Sequence, residues 1–517
     1  MNESVNYKSN LEHTETNDCN IYQYFPSNGS TFKCGTDNFI EIPMTPLRNS
    51  FLVPKSTYLN LSWQATATST NAATELYDLY STKAGSNAII EKLEIYNGSS
   101  LLECIEFYNR SYSTMQSLQT NPFQTGGNSS ARDSAISDNW GNPSVGASVS
   151  GVRMTTAKAL SFTAADVNLQ TASLSLELSD LLGSSAEKML PLSMSQPYRI
   201  RIYLTPSIEK IFYGIDRSNA ATANSNINAT YTSGTCTVKE VSLTTKVVQY
   251  SDDVYDKMLE AVKSKDNMLK FSGTQIKPCN VNMTYNSNVE SIVPNAQWAN
   301  LKGVVFSPYF PTLSKKGDNY CNFANGLYQA QILVDGRPYP DNIPIGLGDA
   351  QHPARSVSQL IMSAINCTTT ANKISSANTQ LYLSSVNNDG LTTAGTGLPD
   401  FPYGVTNCNL GNTEIPADTA ITNDAFNWYP LSGAIANMVV QPAGKSAPFF
   451  SYGVKLGNVE KGKVTQGIST LGKQVVLSVK QSNTITEPIQ PITLAIQQVG
   501  ATYVVDIARG TIKSFLQ

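Results

Sequence analysis

Strict alternation of apolar and polar residues is the feature that most constrains the fold of this chain. Over residues 58–67 every second residue is apolar, with Leu59, Leu61 and Trp63 on one face and polar residues on the other. A period of two is typical of a half-buried β-strand, because successive side chains point to opposite faces of a sheet. The same alternation returns at residues 198–204, so the first half of the chain is predicted to contain several such strands.

The second half carries similar strand signals. LYQAQILV, residues 327–334, leads into Asp335-Gly336, a pair that favours a tight hairpin turn. Three segments rich in β-branched residues, VVLSVKQ, PITLAIQQ and TYVVDIARG, close the chain. Both halves are therefore predicted to be β-sandwiches.

Two segments change to a helical period. Residues 89–96 read as a strand that stops at Asn97-Gly98, and apolar residues then recur at helical spacing over 101–115. Ser100 and Glu103 have the spacing of a capping box at the start of that helix. Residues 251–266, SDDVYDKMLEAVKSKD, form a second predicted helix, on which Val254, Met258 and Val262 share a face.

The mid-chain helix sets the predicted domain organisation. Long polar stretches at 120–155 and 366–425 read as loops, one in each half, and residues 1–50 are polar and irregular. We therefore predict an N-terminal arm over 1–50, a first sandwich over 51–250, a connector helix over 251–266 and a second sandwich over 267–517.

Composition excludes some classes of function. Charged residues make up 15% of the chain and the formal net charge is −3, so the chain has no basic field that would bind nucleic acid. No apolar run reaches the roughly 18 residues of a membrane helix, and the N-terminal residues lack the apolar core of a signal peptide. We expect a soluble protein that is not secreted.

The cysteines do not suggest a disulfide scaffold or a zinc site, because they are widely spaced and never form a CxxC pair. We predict free thiols at Cys19, Cys34, Cys104, Cys236, Cys279, Cys321, Cys367 and Cys408.

Motifs that could carry chemistry are weak. Residues 457–463, GNVEKGK, match most of a phosphate-binding loop, but Val464 stands where a magnesium-binding Ser or Thr belongs, so a turn between strands is favoured. Of the two histidines, His352 lies near Asp349 and Ser356, yet no GxSxG motif accompanies them and a solvated loop histidine is the simpler interpretation.

Metal and ligand sites are no better supported. Asn387, Asn388 and Asp389 before a glycine are turn residues without the spacing of a calcium loop. Four tryptophans are potential stacking platforms for a carbohydrate, but Trp63 on an alternating strand is better explained as core. We predict no catalytic residue, no metal site and no cofactor.

Several segments together resemble the double jelly-roll major capsid proteins of virophages, Polinton-like viruses and the adenovirus-like lineage. The most specific piece is IIEKLEIYNGSSLLECIEFYNRSYSTM, residues 89–115, which is similar to a strand, Asn-Gly turn and helix of the family's first jelly roll. Residues 174–206, the mid-chain helix, and GLYQAQILVDGRPYPDNIPI resemble further family segments in the same order.

The resemblance implies an all-β fold of two consecutive eight-stranded jelly rolls with short helices and long loops. It also implies a homotrimer that forms a pseudo-hexameric capsomer in the icosahedral shell of a double-stranded DNA virus. Expected partners are neighbouring capsomers, a penton protein and minor capsid proteins. The expected locations are the virion and, during assembly, the host cytoplasm or virus factory.

Two alternatives remain open from the residues. A secreted or surface β-sandwich adhesin or lectin would also suit polar loops and several Asn-x-Ser/Thr sequons, although the chain shows no signal peptide. A β-rich hydrolase would need a carboxylate pair that no spacing in the sequence reveals.

Overall fold

The fold is described from a computed structural model of the chain. It describes residues 16–37, 39–53, 56–69, 76–81, 84–119, 160–161, 166–168, 172–175, 189–193, 195–207, 210–216, 231–264, 268–283, 289–294, 297–309, 327–339, 345–346, 452–456, 467–481, 493–506 and 511–514.

The described part of the first half is built almost entirely of strands. They are β1 (Thr16–Tyr24), β2 (Thr31–Lys33), β3 (Ile40–Met44), β4 (Ser50–Leu52), β5 (Tyr58–Ser69), β6 (Leu76–Ser81), β7 (Ile90–Asn97), β8 (Ser100–Glu106), β9 (Leu160–Ser161), β10 (Asp166–Asn168), β11 (Ala172–Ser175), β12 (Leu190–Pro191), β13 (Tyr198–Leu204), β14 (Phe212–Asp216) and β15 (Tyr231–Tyr250). A 3₁₀ turn, Gly85–Ile89, precedes β7, and helix α1, Tyr108–Gln119, follows β8.

Helix α2, Asp252–Lys263, joins the last strand of this half to the first strand of the next. The strands of the second half are β16 (Met268–Asn282), β17 (Val289–Ile292), β18 (Leu301–Tyr309), β19 (Leu327–Val334), β20 (Arg337–Tyr339), β21 (Ile345–Gly346), β22 (Tyr452–Lys455), β23 (Val475–Gln481), β24 (Thr493–Asp506) and β25 (Thr511–Ser514).

The strand order of the second half defines its fold. One antiparallel sheet runs β16-β24-β18-β22, and the other runs β17-β23-β19-β20. We letter the eight strands of these two paths B to I in chain order, with β16 as B and β24 as I, and leave out the short strands β21 and β25. The sheets then read B-I-D-G and C-H-E-F. That order is the jelly roll, a sandwich of two interleaved Greek keys.

The first half repeats the same order with some strands broken into segments. Its C-H-E-F sheet is β3-β13-β7-β8. In its B-I-D-G sheet, β15 is strand I and pairs with β1 and β2 on one side and with β4 and β5 on the other. Strand G consists of β10, β11 and β12, which pair with β5 or β4. The chain thus contains two consecutive jelly rolls, as predicted, and a further small sheet, β14-β6-β9, that was not.

Alternation explains why these segments form the two layers. On β13 the residues Tyr198, Ile200 and Ile202 are buried, while the residues between them are partly exposed. On β5 Leu59 and Leu61 are buried in the same way, and Trp63 is part of the core, as predicted. Trp298 is fully buried in the second roll.

The helix predicted over residues 101–115 begins later than expected. Residues 100–106 form β8, which pairs with β7 across the Asn97-Gly98 turn, and helix α1 starts only at Tyr108. Phe107, with a φ of 51°, separates strand from helix. The capping box at Ser100 and Glu103 is therefore wrong: pairing with β7 outweighs the helical spacing of these apolar residues.

The N-terminal arm predicted over residues 1–50 is also wrong for the part that the structure describes. β1 and β2 pair with β15, and β3 is strand C of the first roll. Ile40 and Ile42 on β3 are fully buried, although the polar residues around them hide this short strand in the sequence. Residues 1–15 lie outside the described residues.

The short turns of each roll meet at one end. In the first roll the β7–β8 turn contacts the segment before β13, where the Gly98 N–H donates to the Pro197 carbonyl at 2.9 Å. In the second roll the Asp335 N–H donates to the Gln474 carbonyl at 2.8 Å. This end of each roll is the short-turn end. Its described residues are 45–49, 98–99, 192–193 and 195–197 in the first roll and 293–294, 297–300, 335–336 and 468–474 in the second.

Candidate functional site

The contact between the two rolls is the best-defined functional feature of the described chain. Strand β8 of the first roll lies against β16 and β25 of the second. The Gln275 Nε2 of β16 donates to the Leu102 carbonyl of β8 at 3.4 Å, and both residues are buried. Burying a polar amide is favourable only when it is hydrogen-bonded, so this contact fixes one strand against the other.

A second contact joins the rolls beyond the end of β8, on helix α1. The Arg110 guanidinium carbon lies 3.4 Å from the centre of the Tyr309 ring, at the end of β18, and both side chains are buried. A guanidinium over an aromatic face is an attractive cation–π pair, stronger when water is excluded. Burial raises the pKa of Tyr309, and the nearby Arg110 charge partly offsets that rise.

The start of helix α1 holds Arg110 in place. The Asn109 Nδ2 donates to Glu91 Oε2 at 3.1 Å, and Glu91 also accepts from Lys210 Nζ at 2.8 Å. Tyr108 and Tyr112 stack with their ring centres 6.2 Å apart on the same helix. Arg110 is therefore presented from a rigid element rather than from a loop.

The two contacts give the rolls the same orientation. Leu102 lies near the short-turn end of the first roll, and Gln275 lies a few residues into β16, which leaves the short-turn end of the second. Arg110 follows the far end of β8, and Tyr309 ends β18, which runs away from the short-turn residues 297–300. The short-turn ends of the two rolls are therefore next to each other, and so are their opposite ends. The rolls stand side by side in the same orientation.

Helix α2 packs on the outer face of the first roll at its short-turn end. Val254, Met258 and Leu259 lie on a buried cluster of Phe51, Val248, Tyr250 and Tyr255. At the start of the helix the Asn49 Nδ2 donates to Asp252 Oδ1, and Arg48 forms an exposed ion pair with the same carboxylate at 3.1 Å. The Ser193 hydroxyl and the Tyr255 hydroxyl are hydrogen-bonded at 2.9 Å. The connector thus belongs to the first roll.

A network of charged and aromatic side chains covers the outer face of the sheet β3-β13-β7-β8. Glu94 is buried and accepts from the hydroxyls of Tyr96 and Tyr203 at 2.9 and 3.0 Å and pairs with Lys92 at 2.6 Å. Burial opposes its charge, but these hydrogen bonds outweigh burial and hold the pKa of Glu94 below its ordinary value. Arg201 pairs with Glu41 at 2.6 Å beside them.

Exposed large apolar side chains occur at a few described positions. Ile21 and Phe25, on and just after β1, are 73% and 62% exposed. Ile21 lies on the outer face of the first B-I-D-G sheet, because it stands opposite exposed Lys246, and Phe25 follows directly after the end of β1. Val293 and Leu471 are exposed at the short-turn end of the second roll, and Leu101 is exposed at the start of β8 in the first.

The motifs weighed for chemistry are not brought together in the described residues. His352, Asp349, Ser356, the segments 457–464 and 387–390, Trp140 and Trp428 all lie outside those residues. Among the residues that the structure does describe, no group of three or more His, Cys, Asp or Glu is arranged to hold a metal ion. The same residues include no helix that is long and apolar enough to span a membrane.

Cys19, Cys34, Cys104, Cys236 and Cys279 are free thiols, as predicted. Cys321, Cys367 and Cys408 lie outside the described residues.

Comparison with known proteins gives likeness in structure alone. No family model matches the chain, and no curated protein sequence matches it. A structure of the Sputnik virophage is 11% identical, covers 96% of this chain and 88% of its own, and has a TM-score of 0.49. The mavirus major capsid protein is 10% identical over 96% of this chain and 89% of its own, with a TM-score of 0.48. A PBCV-1 virus capsid model is 10% identical over 96% and 97%, also with a TM-score of 0.48.

Proposed function

We propose that this protein is a major capsid protein, a structural subunit that trimerises into pseudo-hexameric capsomers of an icosahedral double-stranded DNA virus shell. The observation that carries the proposal is the contact between the rolls: two jelly rolls stand side by side, in one orientation, joined through strand F and helix α1 of the first and strands B and D of the second. The proposal rests on this contact and on the strand order, and it assigns no catalysis and no cofactor to the chain.

Within one chain this contact leaves two matching surfaces unused. The F strand of the second roll, β20, and the B strand of the first, β1, have no roll against them among the described residues. If a second copy repeats the internal contact, its β20 meets β1 of the first copy. A head-to-tail contact of this kind closes into a ring when the rotation per step divides a full turn. Three chains would supply six rolls.

The unused surface of the first roll has the composition of a subunit contact. Its outer face carries a polar ladder, in which Gln23 donates to Ser242 at 2.8 Å and Asn60 donates to Thr244 at 2.5 Å. Ile21 and Phe25 stand exposed beside this ladder. An apolar centre with a polar surround is typical of interfaces, because the apolar part gains most from excluding water.

The test is the solution mass of the purified protein, measured by light scattering, with negative-stain images of the same peak. We expect the mass of three subunits and a hexagonal outline. The double variant Ile21→Asp, Phe25→Asp places charges in the proposed contact and should yield monomers. The matched control Val293→Asp, Leu471→Asp changes two exposed apolar residues outside it and should remain trimeric. A wild-type protein that stays monomeric as concentration and salt rise would overturn the proposal.

Further partners follow from the same proposal. We expect neighbouring capsomers, a penton protein at the vertices and minor capsid proteins, with the protein located in the virion and, before that, in the host cytoplasm or virus factory. No specific nucleic-acid contact is proposed, since the chain has a net charge of −3. An adhesin or lectin is not favoured: a second roll locked in parallel to the first has no evident use in a single binding module.

A further inference from the structure

Two thiols face each other across neighbouring strands of the first roll. Cys34 follows β2 directly, and the pairing of Lys33 with Thr237 places Cys34 opposite Cys236 on β15. The Cys34 N–H donates to the Cys236 carbonyl at 2.9 Å. The two side chains are hydrogen-bonded to each other, and Cys236 is buried while Cys34 is partly exposed.

The turn that follows β2 holds Cys34 at this position. The Lys33 N–H donates to the Asp37 carboxylate, and the Asp37 N–H donates back to the Lys33 carbonyl at 2.9 Å. Gly35 has a φ of +79°, and the position of a Cβ on it would lie 2.7 Å from the Pro206 carbonyl oxygen. These contacts hold the backbone of Cys34 directly opposite Cys236.

We propose that Cys34 and Cys236 are a redox pair that closes to a disulfide when the folded protein meets a low-molecular-weight disulfide such as oxidised glutathione. The Cys34 thiolate attacks one sulfur of the oxidant, forms a mixed disulfide and releases the first small thiol. The Cys236 sulfur then attacks Cys34, loses its proton and releases the second small thiol. Two protein thiols are oxidised and one small disulfide is reduced to two thiols.

The order of these steps follows from accessibility. Cys34 is the partly exposed partner, so it meets the oxidant first. The hydrogen bond with Cys34, and burial, raise the pKa of Cys236, which makes it the slower, resolving thiol. A pair of this kind stays reduced among cellular thiols and closes in oxidising surroundings.

The bond would fasten the N-terminal strands to the roll. Among the described residues, β1 and β2 pair only with β15, and the chain between them is hydrogen-bonded to β3, where the Ser27 N–H donates to the Glu41 carbonyl at 2.8 Å. A disulfide adjoining β2 links it covalently to β15 across a long loop of chain, which restricts the unfolded state. The chemistry does not depend on the proposed function, although a shell released from a cell would meet the oxidising conditions that it needs.

The test is disulfide mapping of the folded, full-length protein. Protein incubated with oxidised glutathione is alkylated, digested without reductant and analysed by mass spectrometry. We expect one linked pair of peptides containing Cys34 and Cys236, lost on reduction, and a thermal midpoint that rises on oxidation. Cys104 and Cys279, half-buried elsewhere, should remain alkylatable as internal controls.

Variants separate this bond from other oxidation products. Cys34→Ser should abolish the linked peptide and the rise in midpoint, whereas Cys19→Ser, at an exposed thiol on β1, should leave both unchanged. If Cys34→Ser fails to fold, the wild-type map decides alone. Glutathionylation of the exposed Cys19 shows that the oxidant has acted. If Cys34 and Cys236 are then still alkylated, the proposal is overturned. A disulfide that joins Cys34 of two chains, in place of the link to Cys236, would also overturn it.

Discussion

Two glycines of nearly equal φ offer a controlled comparison at the scale of one residue. Gly35 and Gly336 have φ angles of +79° and +78°, in the region that L-residues seldom adopt. A Cβ on Gly336 would meet nothing within 4 Å, while one on Gly35 would press on the Pro206 carbonyl. The backbone strain that an alanine would introduce is therefore the same at both positions, and the two substitutions differ only in the steric contact of the added Cβ.

We expect Gly336→Ala to lower the free energy of unfolding by about 1–2 kcal/mol, the cost of a left-handed backbone with a Cβ. Gly35→Ala should cost about 1–3 kcal/mol more, because a backbone carbonyl must move to accommodate the new atom. Urea unfolding of both variants measures the difference. Equal losses would mean that the turn at Gly35 relaxes away from Pro206.

Glu94 makes a pH-dependent contribution that has a definite sign. Its pKa is lowered in the folded state, so its stabilisation is present above its unfolded pKa of about 4.3 and is lost as the pH falls through the lower folded value. We expect Glu94→Gln to lower the free energy of unfolding at neutral pH by about 1–2 kcal/mol. The gap to wild type should close as the pH falls below about 4.3.

Urea unfolding from neutral to acidic pH measures that gap. Glu260→Gln, at an exposed position of α2, is the matched control and should change the stability by less than about 0.5 kcal/mol at every pH. A gap for Glu94→Gln that stayed constant down to low pH would show that the loss comes from packing rather than from the charge.

At the scale of elements, helix α2 packs through one apolar face. Met258 is partly buried against the cluster around Phe51 and Tyr255, and an aspartate there would place a charge against this apolar surface. We expect Met258→Asp to cost on the order of 3 kcal/mol and to loosen the helix from the first roll. Ala261→Asp adds the same charge at an exposed position and should lower the free energy of unfolding by only about 0.5 kcal/mol or less. An unchanged melting curve for Met258→Asp would contradict this packing.

Elements were predictable where local and tertiary preferences agree. β5, β13 and α2 carry a clean period and lie close to their predicted bounds. β8 was missed, because its apolar residues satisfy a helical period and only pairing with β7 selects the strand. PITLAIQQ and TYVVDIARG were read as separate strands, yet they form one strand, β24, that continues through Gly500.

At the scale of the whole molecule, the contact between the rolls was out of reach of the sequence. Nothing in the sequence marks Gln275 and Leu102, or Arg110 and Tyr309, as partners. Gln275 and Leu102 lie more than 170 residues apart, and the two residues of each pair belong to different rolls. Arg110 in particular reads as an ordinary charged residue of an amphipathic helix. Such pairs are defined only by how the two sandwiches dock.

This docking predicts how the molecule unfolds. Arg110 and Tyr309 form the far contact, so Tyr309→Leu removes the aromatic face from a buried guanidinium and should weaken the coupling between the rolls by about 2 kcal/mol. Tyr309→Phe keeps the ring and loses only the hydroxyl, and should behave like wild type. Calorimetry of the three proteins is the measurement, with one cooperative transition expected for wild type and for Tyr309→Phe.

Tyr309→Leu should broaden that transition or divide it, because each roll has its own core and only their contact makes them unfold together. The same loss of coupling should lower the yield of the proposed trimer, since a subunit whose rolls move against each other presents β1 and β20 at variable angles and closes a ring less often. A sharp single transition with a normal trimer yield in Tyr309→Leu would place the coupling at Gln275 and Leu102 instead, where Gln275→Ala then becomes the decisive variant.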